Sequence, residues 1–128
     1  MSKERWKAIP GWPYEVSDCG KVRSIDRVVI TSNGQVRFWK GRVLRVGIYQ
    51  EGYPIVLLRK NGKEQTTNVH SLVAQAFLPK APSPKHRVDH KDDTRTNNHF
   101  RNLQWLTHAK NIKKGYRRKR YERVLQEI

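Results

Sequence analysis

Apolar residues in this chain recur mostly at every second position and in short runs, which predicts half-buried strands more than long helices. Tyr14-Glu15-Val16-Ser17 and Lys21-Val22-Arg23-Ser24-Ile25 alternate on either side of Asp18-Cys19-Gly20. That pattern predicts a hairpin with Val16, Val22 and Ile25 turned inward and Lys21 and Arg23 turned outward. Val28-Val29-Ile30 and Val36-Arg37-Phe38-Trp39 flank a second turn signal, Ser32-Asn33-Gly34. Three more strands are expected from Arg42 to Gln50, Tyr53 to Arg59 and Glu64 to Val69, joined at Glu51-Gly52 and Asn61-Gly62. Asn-Gly suits a type I′ turn because both central residues need positive φ. YPIVLLR is the most apolar of the three and reads as the central strand, with Pro54 at its start because proline offers no N–H to a ladder.

The spacing becomes helical from His70 to Leu78, where Leu72, Val73, Ala76 and Phe77 form one stripe able to cover a sheet. His70, at its head, is expected to cap or pack that helix. Pro79 discourages any extension and, with Pro82 and Pro84, forms a stiff linker. Beyond it, Arg87-Val88-Asp89-His90 and Leu103-Gln104-Trp105-Leu106 read as strands on either side of a polar loop, Lys91 to Arg101. Thr107 fits a helix N-cap for a helix from His108 through Lys114. A strand, loop, strand, helix unit can bring Asp89, His90 and Asn111 together. The carboxylate and the carboxamide would supply oxygen ligands to a hard divalent cation, leaving the imidazole free as a base. The expected class is α+β: an N-terminal antiparallel β-sheet with a short helix, then this unit, then a basic helical tail. The expected division is a β-rich module over 1–79, the strand-loop-strand-helix unit over 80–112, and an arm over 113–128.

Charge narrows the function. The chain has 27 Lys and Arg against 11 Asp and Glu, a formal +16 over 128 residues, which favours a nucleic acid as partner. No long apolar span or amphipathic anchor suggests a membrane, and the start, MSKERWKAIP, has no apolar signal core, so a cytoplasmic protein is expected. Cys19 is the only cysteine, which rules out an internal disulfide and argues against structural zinc.

The order Asp89-His90, Asn97-Asn98, Asn102-Leu103-x-Trp105-x-Thr107 and Asn111 resembles the HNH motif of phage and intron-encoded homing endonucleases, a ββα-metal nuclease finger. The resemblance implies that His90 is the general base, that Asp89 and Asn111 hold Mg²⁺ or Mn²⁺, and that Asn102 braces the loop and orients the base. Asn111 stands where many relatives have His, giving an H-N-N pattern. Asp93 stands where the family often has Gly, and Asp tolerates the left-handed conformation better than most residues. Ile9-Pro10-Gly11, Tyr14-x-Val16-Ser17 and Gly20-x-Val22-Arg23-Ser24 are similar to a nuclease-associated module that often precedes HNH motifs, implying a DNA-contacting β element.

The implied activity is hydrolysis of DNA phosphodiesters, nicking one strand of duplex DNA as a monomer and leaving a 5′ phosphate and a 3′ hydroxyl. Contacts to the nucleic acid are expected from Lys21, Arg23, Arg27, Arg37, Lys40, Arg42, Arg95 and His99, and in the tail from Lys113, Lys114, Arg117, Arg118 and Arg120. His86, like His99, also reads as a solvated loop histidine. The alternative left open by the residues is a catalytically silent basic protein that binds DNA or RNA.

Overall fold

The structure is a computed structural model that describes residues 3–49 and 51–114. Strands β1 (Trp6–Ala8), β2 (Tyr14–Ser17) and β3 (Val22–Ser24) form one antiparallel sheet, and β4 (Arg27–Ile30) with β5 (Val36–Trp39) forms a two-stranded ribbon. Strands β6 (Gly47–Ile48), β7 (Pro54–Lys60) and β8 (Lys63–Asn68) make a second three-stranded antiparallel sheet with β7 in the middle, and helix α1 (Val69–Phe77) follows directly. The last pair, β9 (His86–His90) and β10 (Leu103–Thr107), is antiparallel and leads into helical residues 108–114. The protein is thus α+β, with several small sheets and little helix. Arg117, Arg118, Arg120 and the rest of the tail lie outside the described residues.

Glycine sets the hairpins. Gly20 and Gly34 adopt φ of +90° and +81°. Each donates its N–H back across a three-residue loop, to Ser17 O at 3.1 Å and to Thr31 O at 2.9 Å. Asn61 and Gly62 both have positive φ, 50° and 79°, as a type I′ turn requires.

One core joins the first sheet, the β7 sheet, the helix and the last strand pair, and the β4–β5 ribbon lies outside it. Val16 and Val22 face each other across β2 and β3, and Val56, Leu58, Val69, Val73 and Leu103 join them, all at 2% exposure or less. Their apolar area is the main favourable term holding the sheets together. Helix α1 packs on β2, β7, β8, β9 and β10, so the N-terminal sheets and the last strand pair meet on the same stripe. The indole N–H of Trp105 donates to Pro79 O at 2.9 Å and ties the proline linker to β10.

Three features differ from the sequence reading. β1 was not anticipated, being too short to show a period. Ile25 is 41% exposed because β3 stops at Ser24. The strand expected from Arg42 shrinks to Gly47–Ile48, since the chain before it bonds to β3 instead: Ser24 N–H donates to Arg42 O at 2.9 Å and Leu44 N–H to Val22 O at 2.8 Å. Gly41 permits that approach, as a Cβ there would lie 2.1 Å from Ser24 O.

The first hairpin also abuts the loop between β9 and β10. Phe100 N–H donates to Asp18 O at 2.9 Å, and a Cβ placed on Gly20 would stand 2.9 Å from Asn98 Cβ. Gly34 has the same sign of φ but open space around it. Gly34→Ala should therefore cost about 1–2 kcal/mol of conformational strain, and Gly20→Ala should cost clearly more. Urea unfolding of the two variants side by side checks this; equal losses would show that the Asn98 contact carries no weight.

Candidate active site

The register of the last strand pair sets the site. Leu103 lies opposite His90 and Gln104 opposite Asp89, which places the Gln104 amide beside the Asp89 carboxylate on one face of the pair. Gln104 Nε2 donates to Asp89 Oδ2 at 2.9 Å, and Asp89 is buried at 8% exposure. The same carboxylate oxygen receives the Lys114 ammonium at 2.8 Å, delivered by the helical residues after β10. Thr107 begins that helical segment: its Oγ1 accepts from Lys110 N–H at 3.3 Å, the N-cap expected of it.

His90 is buried as well, and its Nε2 lies 2.7 Å from Asn98 Oδ1, with Asn98 itself buried. With the carboxamide oxygen facing the ring, Nε2 is the donor of this bond. The ring is packed by His70, edge-on at 5.3 Å between centroids, and by Tyr53 at 6.1 Å. His70 therefore packs more than it caps; no side chain caps α1. Burial, helped by the neighbouring His90, pushes the His70 imidazole down to about 4, so it is neutral at physiological pH.

The loop between the strands is braced from within. Asn102 Nδ2 donates to Asp92 Oδ1 at 2.9 Å and to Asn97 O at 2.8 Å, while Asp92 N–H donates to Asn102 Oδ1 at 3.2 Å. The Asn97 amide, the Thr94 backbone N–H and the Asn102 amide together hold the Asp92 carboxyl down at about 2. Asp93 takes the left-handed conformation, φ 60°. Asn102 thus braces the loop, but its side chain bonds elsewhere and the imidazole is met by Asn98. The carboxamide beside the His90 ring is thus that of Asn98, whereas the resemblance had implied Asn102 for that place. Asn98 stands within the resembled motif, next to Asn97, and that position was its only signal.

These elements surround a cleft of about 200 Å³ lined by Tyr53, Val88, Asp89, His90, Asp93, Arg95, Asn111 and Lys114. Asp89, His90 and Asn111 therefore share one cleft, and Asn102 is not among its lining residues. Arg95 spans the rim, its guanidinium 4.7 Å above the Tyr53 ring and bonded to the Glu51 carbonyl. Among the described residues no group of three or more His, Cys, Asp or Glu side chains could hold a metal ion. A cation there would draw on carboxamide, backbone, water and phosphate oxygens besides Asp89.

The other basic residues divide. Arg23 bonds Glu15 at 3.0 Å and covers Trp6 at 3.9 Å, and Lys21 pairs with Glu4 at 3.7 Å, so these two are partnered by residues of the hairpin and of the segment before it. His99 caps a single 3-10 turn at Phe100–Asn102, its ring accepting from Arg101 N–H; His86 Nδ1 lies 2.8 Å from Ser83 Oγ. Arg27, Lys40 and Arg42 line a second cleft of about 450 Å³ with Trp39 and two residues that were not singled out, Arg45 and Arg59. Arg37 and Lys113 are exposed, whereas Lys114 turns into the first cleft. Among the described residues no helix is long and apolar enough to cross a membrane.

The chain is similar to known proteins over most of its length. A family model described as NUMOD4 motif matches residues 4–59, and one described as HNH endonuclease matches residues 68–113. The chain is 36% identical over 109 residues to the DNA endonuclease I-HmuI of Bacillus phage SP01, covering 84% of this chain and 55% of that protein. It is 33% identical over 124 residues to an uncharacterized HNH endonuclease of Acanthamoeba polyphaga mimivirus, covering 90% of this chain and 33% of that protein. A solved structure of the HNH homing endonuclease I-HmuI, described as binding and cleaving DNA, superposes with a TM-score of 0.71 at 30% identity, covering 95% of this chain and 66% of that one. The chain thus spans between a third and two thirds of the length of these relatives.

His70 gives this site a pH signature. Its folded value near 4 lies below the ordinary 6.5, so the unfolded chain binds the proton more readily. The stability it contributes is complete above pH 6.5 and is lost as pH falls through 4. The denaturation midpoint should fall across that window, and His70→Phe should flatten the fall. An unchanged pH profile in the variant would place the acid sensitivity elsewhere.

Proposed function

Because the chain belongs to the HNH endonuclease family, with a NUMOD4 motif ahead of its HNH motif, we propose that it hydrolyses phosphodiester bonds of double-stranded DNA, nicking one strand as a monomer with Mg²⁺ or Mn²⁺ as cofactor. The observation that carries this reading is a buried imidazole, held by Asn98 at 2.7 Å, in the same cleft as the Asp89 carboxylate. His90 Nδ1 takes the proton of the attacking water, while Asn98 holds the opposite nitrogen and so keeps the lone pair in place. His70, neutral in its packed position, adds no positive charge beside the base.

Asp89 and Asn111 would hold the cation. The donor set fits one: three oxygens, Asp89 Oδ2, Asp93 Oδ1 and His90 O, already surround the Lys114 ammonium at 2.6–2.9 Å. A divalent ion bound there supplies neutralisation of the charge building on the phosphoryl oxygens and on the departing 3′ oxygen. Gln104 fixes the carboxylate, and Arg95 at the rim is set to hold a neighbouring phosphate. The second cleft, with five Lys and Arg side chains and Trp39 along it, extends the phosphate-binding surface away from the chemistry. One such site cuts one strand, so a double-strand break needs a second encounter.

Incubation with supercoiled plasmid and Mg²⁺ or Mn²⁺ should give relaxed circles that EDTA abolishes. His90→Ala should lower the rate about 10²–10⁴-fold with DNA retardation preserved, and Asn98→Ala should lower it by a smaller factor. Retardation with no relaxation under any metal would leave a DNA-binding protein and sink the nuclease; linear product without relaxed circles would sink the single-strand cut.

A further inference from the structure

The basic tail was expected to reach for phosphates, yet Lys114 faces inward. Its ammonium has three N–H donors, and the structure supplies three acceptors: Asp89 Oδ2 at 2.8 Å, Asp93 Oδ1 at 2.9 Å and His90 O at 2.6 Å. Its side chain is only 25% exposed. It lies one helical turn after Asn111, on the same face, and lines the same cleft. An ammonium seated this way serves a buried carboxylate as a counter-ion. It also holds an oxygen that a hard cation would need.

We propose that Lys114 is a displaceable internal counter-ion, its ammonium keeping the place of the divalent cation on Asp89 so that metal binding requires its withdrawal. This rests on the reading of Asp89 as a metal ligand given above. An ammonium and a divalent ion on one carboxylate oxygen would repel each other at short range with little water between them, which favours one occupant at a time. The exchange leaves the cleft with a counter-charge in both states: the lysine offsets one of the two carboxylate charges of Asp89 and Asp93 before the metal arrives, and the divalent ion offsets both afterwards. The lysine's flexible four-carbon stem, a quarter exposed, lets the head leave without moving the helix. Lys114 thereby sets the metal affinity of the site and keeps its carboxylates from collapsing or repelling one another while no metal is bound.

The test measures Mn²⁺ binding to the full chain without DNA, by the loss of the free-ion paramagnetic resonance signal and by calorimetry. Wild type, Lys114→Met, Lys114→Gln and Asp89→Asn are compared, with circular dichroism to establish that each is folded. Lys114→Met should bind Mn²⁺ at least tenfold more tightly than wild type. It should melt lower than wild type without metal and gain more in melting temperature on adding it. Lys114→Gln, which keeps a hydrogen-bond donor without the charge, should also bind more tightly and serves if the Met variant does not fold. Asp89→Asn should lose the site. An Asp89-dependent site with equal or weaker affinity in the lysine variants overturns the role of Lys114 and leaves the metal reading standing. Absence of any Asp89-dependent Mn²⁺ binding in wild type and variants alike overturns both.

Discussion

A carboxylate removed from water must be met by donors and by opposite charge, and the Asp89 side chain, almost wholly enclosed, imposes that demand on everything around it. The demand is answered from three places in the chain. The facing strand provides Gln104, a residue two turns into the following helix provides Lys114, and the strand register decides that both arrive on the same oxygen. A slip of one residue in the β9–β10 pairing would turn Gln104 away and present Leu103 or Trp105 to the carboxylate. The buried leucine opposite His90 opposes such a slip, since it would have to leave the core. Hydrophobic packing and the placement of charge are therefore one constraint in this part of the molecule.

The same economy is visible across the surface. Glu4, Glu15, Asp18, Glu64, Asp89 and Asp93 are each engaged by a Lys or Arg, and the exposed Asp92 accepts hydrogen bonds from within its own loop. With its acids so occupied, a chain of net charge +16 turns a nearly unopposed positive surface outward. The exposed pairs add little to stability. Their effect is on where the free positive charge lies: away from the first hairpin, where Lys21 and Arg23 are paired, and toward the cleft beside Trp39.

Much of this was legible because local physics left few choices. Glycine or asparagine at a turn that needs positive φ located the hairpins at Gly20, Gly34 and Asn61-Gly62, period-two alternation located β2 and β3, and a short apolar run located β7. The cap at Thr107 followed from its hydroxyl, and the convergence of Asp89, His90 and Asn111 on one cleft followed from the order of elements. What escaped depends on tertiary placement. Asn98 and Asn102 are the same residue type a few positions apart, and only the 3-10 turn between them decides which meets the imidazole. Lys114 belongs to a run of basic residues, and nothing in the run marks the one whose head is drawn inward. The packing of His70 and Tyr53 on His90 joins three separate elements, so no local pattern carries it.

The bare backbone of Gly20 against Asn98 bears on how such proteins are assembled and rearranged. The residue that steadies the imidazole leans on a turn far upstream, so the two matched segments are neighbours in space as well as in sequence. Transplanting the downstream segment alone onto a foreign carrier would strip away the wall behind its asparagine. Recombination that preserves function would then favour breakpoints outside both segments, so that turn and loop travel together as a single heritable piece.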